Sequence, residues 1–531
     1  MSNTNELGNK LWDMANNLRG TMDASEYKNY ILPFMFYKYL SNNQEKYIKE
    51  NFLEDFYTTT DEEEIISLLQ DISIGLGYVI EPKYMWDKII SDIDEAKFIA
   101  SDFQQMIESF NLNLIKYENN HNENIEEKNF KNVFDDVRLG DSRLGETTAE
   151  KANALIKVVK KIDELKYVDE TGKDILGDVY EYMIGKFAAN AGKKGGEFYT
   201  PHSVSVILSK MVTANAKNNS KQFRVYDPTC GSGSLLLTVR QELPFVNKER
   251  SVNFYGQELN KTTFNIARMN LMMHNVHYRN MKLRCADTLD SDWPFSKENG
   301  INIPLKFDAI VANPPYSQSW DTKDVDREKD IRFKEYGVAP ASKADYAFIL
   351  HGLYHLDSKG TMAIVLPHGV LFRGASEGKI RKNLIKNNML DAVIGLPSNL
   401  FYGTSIPTCI LVFKGAEIRK TKDILFIDAS KEFVKDKNQN ILTKEHIDKI
   451  FDTYNERKEI DKYSHNATID EIEENDYNLN IPRYVDTFEE EEEIDIKEVL
   501  KNIKELETQR DELDVEINKY LKELGLLGDD E

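Results

Sequence analysis

The chain has 531 residues, 41% of them hydrophobic, and a formal net charge of −22 from 68 basic and 90 acidic side chains. That length suits two or three domains, and so acidic a chain repels a phosphate backbone, so work on nucleic acid requires a local basic groove or a second subunit for the phosphate contacts. Cys230, Cys285 and Cys409 form no C-x-x-C pair or Cys/His cluster, the N-terminus has no export pattern and no apolar run reaches membrane-spanning length, which predicts a reduced cytoplasmic protein with no metal site and no membrane contact.

Residues 1 to 165 read as an all-α domain. In SEYKNYILPFMFYKYLSNNQEKYIKE, Tyr27, Tyr30, Ile31, Phe34, Met35 and Leu40 recur at near-helical spacing, and glycines are sparse. From about 170 to 415 short apolar runs alternate with helical stretches: FRVYDPTCGSGSLLLTVRQEL, VNFYGQELNKTTFNIARMNLMMHN, MKLRCADTLD, FDAIVANPPY, TMAIVLPHGVLF, MLDAVIGLP and TCILVFK. Strand, turn and helix in repetition predict a parallel α/β sheet. A mixed stretch ends in DYNLNIPRYVDTF, the acidic run Glu489 to Glu493 follows, and a last helix closes the chain. The expected divisions are 1–165 helical, 166–480 α/β, and 481–531 linker and terminal helix.

In VYDPTCGSGSLLLTV an apolar strand ends at Asp227, and the loop Thr229, Cys230, Gly231, Ser232, Gly233 leads into a helix. The two glycines let backbone approach a ligand at the carboxyl end of the first strand, where open α/β sheets bind cofactors. The loop is neither the G-x-x-x-x-G-K-[ST] phosphate cradle nor a three-glycine dinucleotide fingerprint, which disfavours phosphate chemistry; a tight turn with no ligand is the plain alternative. The next strand, NFYGQELN, ends in Glu258, placed to accept from both hydroxyls of a ribose. The third ends in CADTLD, where Asp287 accepts from an adenine amine or merely caps a helix. Together the three strand ends predict a nucleoside cofactor.

The run FDAIVANPPYSQSW meets two prolines, which donate no N–H and hold φ near −65°, so the strand stops in a stiff elbow at Asn313, Pro314, Pro315 and Tyr316. The Asn313 side-chain oxygen and the neighbouring proline carbonyl are two rigid acceptors for a planar –NH2 group. Tyr316 offers a flat face for a base drawn from its stack. Pulling both N–H hydrogens toward acceptors frees the nitrogen lone pair for attack on a sulfonium methyl, with no general base of shifted pKa. A Pro-Pro turn capping a strand is the alternative.

DPTCGSG, GQELN, NPPY and the upstream KKGGEFYTPHSVSVILSKMV resemble the motifs of amino-methylating DNA methyltransferases. With LWDMANNLRGTMDASEYKNYILPFMFYKYLS, KADYAFILHGLYHLDSKGTMAIVLPHGVLFRG, GLPSNLFYGTSIPTCILVF and DYNLNIPRYVDTF added, the whole chain resembles the modification subunit of Type I restriction–modification systems. The resemblance implies a Rossmann-like α/β core dependent on S-adenosylmethionine, with an all-α N-terminal domain and a coiled-coil-like C-terminal helix. It implies transfer of methyl to N6 of adenine in DNA. Cofactor contacts would fall on Glu197, Phe198, Tyr199, Thr200, Pro201 and His202, on Asp227, on Thr229 to Gly233, on Glu258 and on Asp287. Asn313, Pro314, Pro315 and Tyr316 would be catalytic. Cys230 and Ser232 stand where other members carry other small residues.

The same resemblance implies a separate specificity subunit that selects the DNA sequence, two copies of this chain beside it, and in some systems a restriction subunit; an acidic chain can then still methylate DNA. The last helix supports a protein partner independently, since Ile496, Val499, Ile503, Leu506, Leu513, Ile517, Tyr520 and Leu524 follow three- and four-residue spacings broken only by Arg510. Folding back on its own domain is the alternative. The charged stretch from Asp321 to Tyr336 is expected to be a mobile loop that orders near DNA, or simply solvated. His202 and His368 are expected as hydrogen-bonding neighbours of the site. The open rivals are an N4-cytosine DNA methyltransferase, a protein or RNA amino-group methyltransferase, and a catalytically silent scaffold.

Overall fold

The computed structural model describes residues 2–18, 22–117, 130–169, 171, 173–190, 199–216, 222–243, 252–290, 293–298, 300–322, 327–436, 439–487, 496–524 and 526. Packing divides the chain into two units, Met1–Val485 and Asp486–Glu531. The acidic run at 489–493 lies outside the described residues.

The first unit begins with helices α1 (Ser2–Leu18), α2 (Ala24–Glu50), α3 (Glu62–Leu76), α4 (Trp86–Asp94), α5 (Ala100–Lys116) and α6 (Thr148–Glu164). Asp61 caps α3 by accepting from Glu63 N and Glu64 N (3.0 Å each), and Gly77 ends it at φ 81°. All six α2 residues picked out by spacing are buried, none more than 3% exposed. The run from Tyr30 to Tyr37 is buried almost all round, so α2 is the central helix of this region rather than a surface one. Then come α7 (Leu176–Asn190) and α8 (His202–Thr213), and one apolar cluster runs from Leu7 in α1 through these helices into the sheet. Helices therefore continue past 165 as far as Thr213, and the apolar packing continues with them.

The strands are β1 (Phe223–Asp227), β2 (Val252–Glu258), β3 (Met281–Cys285), the small hairpin β4 (Phe295–Glu298) and β5 (Ile301–Pro304), β6 (Phe307–Ala312), β7 (Leu356–Pro367), β8 (Leu390–Gly395), β9 (Thr408–Lys414), β10 (Ile424–Asp428), a second hairpin β11 (Val434–Asp436) and β12 (Gln439–Ile441), and β13 (Ser464–Ala467). Helices α9 (Ser234–Glu242), α10 (Lys261–Met273), α11 (Asp345–His355), α12 (Gly369–Phe372), α13 (Ala375–Lys386) and α14 (Lys444–Glu456) lie between them in sequence, and α15 (Ile469–Glu474) follows β13.

Nine strands form the main sheet in the order β13-β10-β8-β9-β7-β6-β1-β2-β3. The sheet is mixed, which corrects the all-parallel expectation. β1 pairs parallel with β2 and β6, and β2 with β3, but β9 runs antiparallel to both β7 and β8, and β13 antiparallel to β10. The cause lies in the connection: residues 396–407 contain no helix to carry the chain back across the sheet, so β9 returns beside β8 in the opposite sense. From β1 the chain builds outward to β2 and β3, then crosses to the other side of β1 to lay down β6. That reversal opens a crevice at the carboxyl ends of β1 and β6.

The second unit carries α16 (Ile496–Glu523), a 28-residue helix whose Val499, Ile503, Leu506, Leu513, Ile517, Tyr520 and Leu524 are all exposed. The side chain of Ile496 lies outside the described residues. No described helix is long and apolar enough to cross a membrane.

Candidate active site at the switch between β1 and β6

β1 ends in Asp227, 1% exposed, whose Oδ1 accepts from Thr229 N (2.9 Å) and so starts the loop turning back. Gly231 (φ 54°) and Gly233 (φ 77°) hold left-handed backbone, and at Gly233 an added Cβ would sit 2.7 Å from Leu271 Cδ1. Cys230 N donates to Gln257 O of β2 (2.8 Å), and Asn270 Nδ2 to Ser232 O (3.0 Å), so the loop is tied to its neighbours on both sides. Glu258 closes β2 with both oxygens engaged: Oε2 accepts from Gly231 N (3.1 Å) and Oε1 from Asn260 N (2.7 Å). An ionised carboxylate accepts about four hydrogen bonds, which leaves capacity for ribose hydroxyls.

Burial pushes the Asp227 carboxyl up to about 8, against the hydrogen bond from Thr229 and with a contribution from the Glu258 charge. Glu258 is raised by burial too, with backbone N–H groups of Asn260, Gly231 and Leu259 pulling the other way. Asp227 is buried and Glu258 partly buried at neighbouring strand ends beside the glycine loop, so a ligand that carries positive charge there would shift both toward their ionised forms. A sulfonium or an ammonium carries such a charge.

At the end of β6 the Asn313 amide is held at both ends. Asn313 Nδ2 donates to Thr200 Oγ1 (3.1 Å), and Tyr316 Oη donates to Asn313 Oδ1 (2.9 Å). The Tyr316 ring meets Phe401 edge-on with centroids 6.0 Å apart, and burial holds its hydroxyl protonated well above the usual range. A small, partly open cleft joins the halves, lined by Tyr199, Thr200, Asp227, Thr229, Cys230, Gly231, Ser232, Ser234, Leu235 and Asn313. Eight of these ten were singled out in the sequence; Ser234 and Leu235 were missed, although both open the helix after a Gly-x-Gly loop, where a ligand approaches.

The remaining sequence candidates stand apart from the lining. Pro201 is the cap of α8, and His202, its first residue, is exposed. Asp287 Oδ1 accepts from Leu289 N (2.8 Å), a turn-forming bond. Pro314, Pro315 and Tyr316 shape the elbow behind Asn313. Glu197 and Phe198 lie outside the described residues. His368 pairs with Thr408 O (2.9 Å), and burial lowers its pKa.

The expected mobile loop after the elbow is corrected, for its described part, by two buried arginines, each 3% exposed. Arg332 donates to Thr288 O (3.0 Å) and Leu289 O (2.9 Å) and pairs with Asp330 (2.7 Å); Arg327 donates to Leu289 O and to Asp290 Oδ1 (3.2 Å). Phe333 is fully buried against Trp320. The segment is thus docked on the turn that follows β3. Residues 323–326 lie outside the described ones.

Comparison with known proteins agrees with this arrangement. The model of N-6 DNA methylases matches residues 171–493, and that of the HsdM N-terminal domain matches residues 7–162. The chain belongs to the N-6 DNA methylase family. Within the family it sides with the methylase subunits of Type I restriction enzymes: it is 38% identical to the MpnII methylase subunit of Mycoplasma pneumoniae over 98% of this chain and 96% of that one. Identity to the MjaVII methylase subunit of Methanocaldococcus jannaschii is 30%, over 93% of this chain and 80% of that one. The crystal structure of the Type I restriction–modification methyltransferase subunit from Streptococcus thermophilus superposes with a TM-score of 0.81 at 40% identity, covering 91% of this chain and all of that one. The N-6 methylase resemblance read from NPPY and its companion motifs is therefore the family shown. The fold is that of an S-adenosylmethionine-dependent methyltransferase.

Proposed function

We propose that this N-6 DNA methylase subunit transfers the methyl group of S-adenosylmethionine to adenine N6 in the crevice between β1 and β6, with Asn313 as the acceptor that positions the target amine. The observation that carries the reading is that Asn313 and the Asp227–Ser234 loop line one cleft. Asp227, Glu258 and the backbone of residues 229–233 would hold the cofactor, which when bound supplies an electrophilic methyl on a positively charged sulfur. Thr200 fixes one end of the Asn313 amide, and Oδ1, which accepts from the Tyr316 hydroxyl, keeps a second lone pair for the incoming N–H. Tyr316 offers its ring to the extruded base.

Sequence choice and the phosphate contacts that so acidic a chain lacks are assigned to a separate specificity subunit, with α16 as the helix that docks on it. A restriction subunit would join the same assembly. The domain divisions consistent with this role are 1–165 as the helical arm, 166–480 as the methyltransferase, and 481–531 as the assembly segment. The cytoplasm is the compartment this role requires.

The test is transfer of tritiated methyl to unmodified DNA by the complex reconstituted with its specificity subunit, with product nucleosides separated. N6-methyladenine is the expected product. Asn313→Ala should lower transfer by orders of magnitude while cofactor and DNA binding persist. Near-normal transfer by that variant removes Asn313 from the mechanism, and N4-methylcytosine as product removes adenine as the target.

A further inference from the structure

The elbow ends at Ser317, which holds a left-handed backbone conformation (φ 53°) although it is not glycine. A side chain disfavours that region, so something outside the turn must hold the residue there. Its backbone N–H donates to Asp345 Oδ1 (2.9 Å), and Asp345, the first residue of α11, is fully buried. The other oxygen of Asp345 pairs with the Arg373 guanidinium, which also grips Glu377 (2.9 Å). Glu377 is 3% exposed, and Gly369 leaves no room for a side chain where the guanidinium lies. A backbone bond from Ala344 N to Gln318 O (2.8 Å) secures the chain one residue further on.

Asp345 is not among the residues that line the cleft, yet its hydrogen bond falls on the residue directly after Tyr316. An ionised acceptor gives a short, strong bond to a backbone N–H, and the guanidinium fixes the carboxylate plane. We propose that Asp345, oriented by Arg373 and Glu377, is a positioning residue: it holds Ser317 in its left-handed conformation and so sets where Tyr316 and Asn313 present themselves to the target amine. The proposal rests on the methyltransferase reading above. Its signature is specific. If the carboxylate acts by holding a disfavoured φ, then glycine at 317, which adopts that φ freely, should make the carboxylate partly dispensable.

The experiment uses the full complex with the specificity subunit and unmodified target DNA, and measures kcat for methyl transfer and cofactor Kd by calorimetry. Asp345→Asn is expected to lower kcat at least tenfold with cofactor Kd within twofold of the parent, and adding Ser317→Gly to it to recover at least threefold of kcat. Unchanged kcat in Asp345→Asn, a matching loss of cofactor affinity, or no recovery with glycine overturns the proposal. Should Asp345→Asn fail to fold, Arg373→Lys carries the test, because it keeps Asp345 in place and loses the two-pronged grip; a smaller fall in kcat with the same recovery by Ser317→Gly is expected, and its absence overturns the proposal. An inactive parent complex overturns the methyltransferase reading and this proposal with it. An active parent whose variants behave otherwise than stated overturns this proposal alone.

Discussion

The segment 321–336 and the helix α16 are alike as sequences and opposite as structures. Each is dominated by charged residues with a few apolar ones between, and neither reads as core. In the first, Arg327, Arg332 and Phe333 are buried; in the second, every described apolar residue named above is exposed, as are Arg510 and Asp511, which pair with each other at 2.7 Å. What differs is whether the guanidinium finds several fixed acceptors at once. Arg332 has two carbonyls and a carboxylate converging on its planar fork, whereas Arg510 has a single exposed neighbour. Charge in a sequence therefore does not mark solvent; an arginine opposite a turn with free carbonyls is an anchor.

The largest expected effect follows from removing that anchor. Arg332→Met leaves the Thr288 and Leu289 carbonyls and the Asp330 carboxylate short of a partner, and should destabilise the fold by about 3–5 kcal/mol in urea unfolding. A loss below about 1 kcal/mol would place the segment with α16 as a solvated one.

Asp227 sharpens the contrast from the other side, as a buried carboxyl with no guanidinium, which keeps its proton instead of its charge. Its pKa is raised from 3.8 unfolded to about 8 folded, so the folded state keeps a proton that the unfolded state releases. The resulting stability is fully present below 3.8 and is lost as pH rises to about 8, at up to about 1.4 kcal/mol per pH unit. Asp227→Asn lacks that slope, so the variant should gain on the parent steadily across this window in ligand-free denaturation series. Parallel curves would mean that Asp227 is already ionised when folded.

For α16 the expectations concern association. Deleting residues 494–531 should abolish co-purification with the specificity subunit while the melting temperature of the remainder stays the same. Leu506→Asp should weaken it by about 2 kcal/mol, roughly thirtyfold, in a pull-down titration. Undiminished binding by either variant would end the docking role. The smallest effect is that of Arg510→Ala, whose melting curve should overlay the parent's.

The core of the site was legible because it sits where strand patterns end. Asp227, Glu258 and Asn313 each close an apolar run, and the glycines between announce close backbone approach. What escaped was anything whose meaning depends on a distant partner. Asp345 opens the apolar run DYAFILHGL, and only the left-handed Ser317, far earlier in the chain, explains an acid there. The direction of β9 escaped for a related reason: the run from Cys409 to Phe413 is apolar whichever way it runs, and the missing helix before it was the signal. Asp287 shows the other side of reading a strand end, since one of its carboxylate oxygens also accepts from Leu289 N in its own turn.

The bond from the Tyr316 hydroxyl to Asn313 Oδ1 gives target selection a particular form. On the proposed reading, an arriving base does not fill an empty acceptor; it shares Oδ1 with a donor already there. The amide oxygen has a second lone pair, so an exocyclic amine donates beside the tyrosine hydroxyl with every group satisfied. A carbonyl in the same place sets its lone pairs against those of Oδ1 and finds a donor only if the tyrosine hydroxyl leaves Asn313. The proposal thus assigns discrimination between amine-bearing and carbonyl-bearing bases to the remaining lone pair of Asn313, before any methyl moves.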